Sequence, residues 1–163
     1  MDVITHVLQR MIAYESGRPG RVNHFLKVYT FARIIAEAEG LSAKDRYVLE
    51  LAAAMHDCGI LASIKKYGYY NGRLQEEEGP AVAEAILAEF PMEQSIVERV
   101  KYLIGHHHTY NEIDGLDYQI LVEADFLVNV FEREMQKEAI LEVKDKYFKT
   151  KTGTAIYERL YPV

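Results

Sequence analysis

Apolar residues recur at helical spacing through almost the whole of this 163-residue chain, and no segment alternates with the period of two that a strand requires. Val3, Ile4, Val7, Leu8, Met11 and Ile12 share one face of a first helix, with Asp2 as its N-cap and its end before Gly17. After the turn Gly17-Arg18-Pro19-Gly20, a second helix carries His24, Val28, Phe31 and Ile35 on one stripe and stops at Gly40. Ser42 caps a third, with Asp45 three positions on, and Val48, Leu51, Ala52 and Met55 run inward to His56. The interval from Gly59 to Gly79 is rich in glycine, tyrosine and charge, and reads as a loop with at most one short helical turn.

A fourth helix is expected to start between Glu77 and Pro80, with the proline in its first turn, and to reach Phe90; Pro91 separates it from a fifth. That fifth helix places Ile96, Val97, Val100, Leu103, Ile104 and His107 on one face. Leu116 to Glu132 reads as a sixth, with Ile120, Leu121, Ala124, Asp125, Val128 and Phe131 inward. Met135 to Phe148 continues or follows it, and Thr154 to Leu160 reads as a short terminal helix. No internal repeat is visible, so the expected fold is all-α, one compact bundle of six to eight helices.

The formal charge of -6 and a pI near 5.5 argue against an extended nucleic-acid surface, so an anionic ligand needs local cations or a metal. The N-terminus lacks the basic start and continuous apolar core of a signal peptide, and no apolar run approaches transmembrane length. The single cysteine, Cys58, cannot form an internal disulfide. A cytoplasmic protein is expected.

Several ionisable side chains fall on inward faces, where each must be hydrogen-bonded, paired or metal-bound. His24 is in register with Val28 and Phe31; His56 and Asp57 follow the apolar face of the third helix; His107 follows Val100, Leu103 and Ile104; Asp125 lies between Leu121 and Val128. Imidazole and carboxylate together suit zinc, manganese, iron, cobalt or nickel, and separate helices of a bundle can converge them. The absence of cysteine ligands counts against a structural zinc site.

The order of these elements resembles the HD superfamily of metal-dependent phosphohydrolases. The matching stretches are His24 in RVNHFLKVYTFA, His56-Asp57 in AAAMHDCGI and Asp125 in LVEADFLVN, spanning roughly residues 20 to 130. The resemblance implies an HD helical bundle in which His24, His56, Asp57 and Asp125 bind one divalent metal. The run Ile104-Gly105-His106-His107-His108-Thr109-Tyr110 is similar to the paired histidines of the dinuclear branch, which implies His106 and His107 at a second metal with Asp57 bridging. Those relatives carry a further histidine between the two motifs, but no histidine lies between His56 and His106 here. Glu78, among the glutamates Glu76, Glu77 and Glu78, is the expected replacement. No lysine follows the glycine in His-Asp-Cys-Gly-Ile and there is no GYP segment, so cyclic-di-GMP cleavage is not implied.

The activity implied by this resemblance is hydrolysis of a phosphomonoester or phosphodiester of a nucleotide or small phosphorylated metabolite, by water activated on one or two divalent metals, with Asp57 central. Arg21, Lys65, Lys66 and Arg73 are the expected substrate-binding cations, alongside Arg18, Lys149 and Lys151, and Tyr67, Tyr69 and Tyr70 could stack on a base. The same ligands would also serve a di-iron oxygenase of this fold or a regulatory module that binds nucleotide or metal without turnover. A homodimer is left open.

Overall fold

The computed structural model describes residues 1–163 as nine helices with no strand. They are α1 (Val3–Tyr14), α2 (Pro19–Ala38), α3 (Ala43–Met55), α4 (Gly59–Tyr67), α5 (Gly72–Leu87), α6 (Gln94–Ile104), α7 (Leu116–Glu132), α8 (Lys137–Tyr147) and α9 (Lys151–Leu160). The all-α bundle is as expected, and α7 begins and ends where the apolar spacing places it. Local chemistry sets several boundaries. Asp2 accepts a hydrogen bond from the Thr5 amide at 3.1 Å, and Ser42 Oγ accepts from the Asp45 amide at the same distance. These satisfy backbone donors that the first turn of a helix otherwise leaves free. Gly40, just past α2, has φ +76, a left-handed backbone that a glycine adopts without steric cost.

Helix α3 is the centre of the molecule. All eight residues from Val48 to Met55 are buried, because α2, α6, α7 and α1 all pack against it. A cluster of 34 buried apolar residues runs from Val7 to Tyr157 and draws on these helices. The C-terminal α8 and α9 close over α7, and the carboxylate of Glu39 accepts from the Thr152 amide at 2.7 Å, tying α9 to the end of α2.

Two expectations fail in the interval after Gly59. It is two helices rather than a loop: α4 starts at Gly59, and α5 starts at Gly72, well before Glu77. Asn71 Oδ1 accepts from the Leu74 amide at 2.8 Å, so an asparagine cap starts α5. Pro80 therefore lies inside the helix and not in its first turn. The inward register of α5 is Gln75, Gly79 and Ala83, and two of those three positions carry almost no side chain, which hides the period. Gly59 and Gly79 meet where α4 crosses α5. A Cβ on Gly59 would stand 2.2 Å from the Gln75 carbonyl oxygen, and one on Gly79 would stand 2.7 Å from Ile104 Cγ2.

The stretch Ala43–Tyr67 is, against expectation, long and apolar enough by composition to cross a membrane. It is bent at His56-Asp57-Cys58 into α3 and α4, and 78% of its apolar window is buried inside the bundle, which accounts for its hydropathy as core.

Candidate metal centre

The break between α3 and α4 delivers His56 and Asp57 to the point where α2 and α7 converge. His24 of α2 and Asp125 of α7 meet them there. His24 Nε2 lies 3.1 Å from His56 Nε2, 3.1 Å from Asp125 Oδ1 and 3.2 Å from Asp57 Oδ2. His56 Nε2 lies 3.4 Å from Asp57 Oδ2 and 3.5 Å from Asp125 Oδ1. Ligand atoms about 2.1 Å from one cation are about 3.0 Å apart at right angles and about 3.4 Å apart in a tetrahedron. The observed spacings of 3.1–3.5 Å lie close to that range, so His24, His56 and Asp57 could hold one divalent cation, with Asp125 beside both histidines.

Hydrogen bonds behind the rings fix which nitrogen faces the centre. His56 Nδ1 is 2.8 Å from the Ala53 carbonyl, and His24 Nδ1 is 2.8 Å from Glu132 Oε2. Both partners accept only, so Nδ1 keeps its proton and Nε2 is the nitrogen that faces inward, offering a lone pair once the ring is neutral. Burial disfavours charge on these histidines, yet the facing carboxylates win. Asp57 and Asp125 hold His56 well above the ordinary histidine range, and Asp125 and Asp57 raise His24. Burial likewise opposes ionisation of Asp57, but His56, His107 and His24 outweigh it and keep that carboxyl well below its usual value.

The other oxygen of the same aspartate faces a second set. Asp57 Oδ1 is 3.4 Å from His107 Nε2, and Asp57, His107 and His108 form a group able to hold an ion. His107 Nδ1 is 2.8 Å from the Ile104 carbonyl, the arrangement seen at His56. The buried Nε2 atoms of both His107 and His108 have no hydrogen-bond partner, which is costly unless something outside the chain fills the space between them. Burial and the neighbouring His107 push the His108 pKa down to about 4, so its ring is neutral and able to ligate at pH 7.

His106, expected at this second position, is turned away. Its Nδ1 lies 2.7 Å from the Tyr102 carbonyl and its ring stacks on Tyr102 at 3.9 Å. Helix α6 ends at Ile104, so the chain is already turning by Gly105 and the side-by-side partner of His107 is His108. Tyr118, fully buried on α7, sets this turn by placing its hydroxyl between the carbonyls of His106 and Thr109. Glu76 of α5 adds a clip, accepting from the His108 amide at 3.1 Å and from Thr109 Oγ1 at 2.9 Å.

Glu78 does not reach the centre. Its carboxylate accepts from Lys66 Nζ and from the Tyr67 hydroxyl, each at 3.0 Å, on the outer side of the α4–α5 crossing. The expected register ran through Val82, whereas α5 buries the Gln75–Gly79–Ala83 line. Cys58 is inert: its Sγ donates to the Gly79 carbonyl at 3.2 Å, and burial pushes its pKa far up.

Outside the ligands lies a cavity of about 770 Å³. Asp57, Asp125 and His24 form its floor, and Arg18, Arg21, Lys27 and Arg133 stand around it with Asn23, Asn129 and Tyr70. The Arg21 guanidinium lies over the Tyr70 ring at 4.9 Å, while Lys27 Nζ is paired with Glu132 at 2.6 Å. Of the four foremost substrate cations expected, only Arg21 lines this cavity. Lys65 is exposed, Lys66 is committed to Glu78, and Arg73 pairs with Glu77 along the outside of α5. Lys27 and Arg133 escaped notice in the sequence. The signal for Lys27 was its position one turn after His24, and Arg133 is the residue that ends α7, eight positions after Asp125.

The HD domain family matches residues 21–147, and the chain belongs to that family. No curated protein and no solved structure matched the chain. HD domains are a metal-dependent phosphohydrolase-type superfamily, and the His/Asp groups described here could hold a divalent metal.

Proposed function

We propose that the protein is a dinuclear metal-dependent phosphohydrolase that cleaves a small phosphorylated molecule, a phosphomonoester or phosphodiester of nucleotide size. One observation carries this: the two oxygens of Asp57 face two separate sets of ligands, Oδ2 toward His24 and His56, Oδ1 toward His107. His24, His56, Asp57 and Asp125 would hold the first cation, and Asp57, His107 and His108 the second. Such a pair supplies Lewis acidity, acidifying water to a pKa of about 7 and neutralising phosphoryl charge.

The chain's own residues do the rest. Glu132 and the Ala53 and Ile104 carbonyls fix the three imidazoles behind the ligands, so little reorganisation is needed. Arg21 and Arg133 supply cationic partners to phosphate oxygens in a protein that is acidic overall, and asparagines 23 and 129 offer amide donors along the same wall. Tyr70, held under Arg21, gives a flat face for a base or sugar at the mouth. A soluble, cytoplasmic setting suits such a substrate.

The test is phosphate release from a panel of nucleotides and sugar phosphates by protein loaded separately with manganese, cobalt, nickel, iron and zinc. Asp57→Asn is expected to abolish release at every substrate concentration while the protein stays folded. Iron-dependent dioxygen consumption without phosphate release would assign the centre to an oxygenase instead. Ligand binding without turnover on every substrate would leave a regulatory module.

A further inference from the structure

Four buried side-chain atoms in the protein lack a hydrogen-bond partner: Glu15 Oε2, Gln75 Oε1, His107 Nε2 and His108 Nε2. The two histidines belong to the second ligand set. Gln75 is the informative remainder. Its side chain is on the buried face of α5, the residue is only 5% exposed, and it lines the same cavity as Asp57 and His108. Its neighbour Glu76 touches the His108 amide, and a Cβ added to Gly72, three residues earlier, would lie 3.5 Å from the His108 side chain. Helix α5 therefore runs past the histidine turn, with Gln75 on its buried face and lining the same cavity as His108.

An amide oxygen only accepts hydrogen bonds. Asp57 Oδ1 is an acceptor too, and His107 Nε2 is one because its Nδ1 proton is given to the Ile104 carbonyl. A single water has two hydrogens to offer, so one water cannot satisfy three or four such acceptors at once. A cation satisfies all of them together. We propose that Gln75 Oε1 is a ligand of the second cation, completing a set with Asp57, His107 and His108; the assignment rests on the dinuclear reading of the centre.

The donor chemistry has a consequence for the ion. A neutral carbonyl-type oxygen, a shared carboxylate and two imidazoles give the second position little negative charge and a hard oxygen that suits manganese. The first position has two carboxylates and two imidazoles. The second ion is thus the weaker and more readily exchanged.

The experiment uses manganese alone, with the full chain, by equilibrium dialysis and by the electron paramagnetic resonance of free and bound ion. Wild type is expected to take up two ions per chain with separated affinities. Gln75→Ala should weaken the second ion by about tenfold to a hundredfold and leave the first unchanged. Gln75→Glu should bind the second ion more tightly than wild type, because a charged oxygen replaces a neutral one. Unchanged affinity of the first ion, together with an unchanged melting temperature, establishes that each variant is folded. Two ions at wild-type affinity in Gln75→Ala overturn the assignment, as does saturation of wild type at one ion. Should manganese behave as expected while no phosphoester is cleaved, the hydrolase proposal fails and the ligand assignment stands.

Discussion

The crossing of α4 over α5 leaves no room at Gly59, and Gly59→Ala tests whether that crossing positions the metal centre. A carbon–oxygen contact settles at about 3.3 Å, so the 2.2 Å between the new Cβ and the Gln75 carbonyl oxygen is short by about 1.1 Å. The next two contacts, Gly79 N at 2.8 Å and Gln75 C at 2.9 Å, are also backbone, so no side-chain rotation relieves them. Overpacking of this kind costs up to about 3 kcal/mol, offset by about 1 kcal/mol of helix propensity when alanine replaces glycine. The net loss of about 2 kcal/mol corresponds to a fall of roughly 4–8 °C in melting temperature for a chain of this size. If α5 yields instead, it carries Gln75 and Glu76 away from the histidine turn, and the second ion is weakened along with stability. Urea unfolding and manganese dialysis on the same sample read both effects. Gly20→Ala, where a Cβ meets nothing within 4 Å, is the control and should not destabilise. A Gly59→Ala protein as stable as wild type, with both ions bound normally, would refute the reasoning.

Proton release should accompany metal uptake. In the metal-free protein His56 and His24 have raised pKa values, so their stabilising contribution is complete below about pH 6.5 and is lost as pH rises through the raised folded-state values. Filling the first position should expel protons from these rings, and affinity should rise with pH; calorimetry in buffers of different ionisation enthalpy measures this. Glu123, fully buried, accepts from Thr150 Oγ1 at 2.7 Å, the Thr150 amide at 3.2 Å and Gln119 Nε2 at 2.7 Å; Glu123→Ala should cost about 3 kcal/mol in urea unfolding by stranding those donors under α9. Arg133→Ala should raise KM for a phosphoester about tenfold or more, whereas Lys65→Ala, outside the cavity, should leave it unchanged.

The cluster of His24, His56, Asp57 and Asp125 was legible because three of its members sit in a long apolar register and Asp57 follows directly: His24 with Val28, Asp125 between Leu121 and Val128, His56 at the end of α3. The second group was legible only in part, at Asp57 and His107, and each remaining position has a physical reason. Helical spacing turned His107 inward but says nothing past Ile104, where the chain leaves the helix, so the pairing of His106 with His107 rested on the resemblance alone and His108 went unnamed. On α5 the inward line runs through Gly79 and Ala83, which carry almost no apolar signal, so the pattern pointed to Glu78 and concealed both Gln75 and the helix itself. Gly59 and Gly79 read as loop because their use is close approach where the two helices cross, which shows only once both helices are in place. The cavity cations share the same limit, since Arg133 ends α7 and no periodicity reaches it.

Tyr118 holds the histidine turn from a position sealed in the apolar core, so the turn's shape is anchored by packing against α7 and not by the ions it would bind. A chelator should therefore strip the centre without melting the bundle, unlike a zinc finger, in which metal uptake and folding are one event. Which metal occupies the protein would then be decided by the supply around the finished molecule, and could be revised throughout its lifetime.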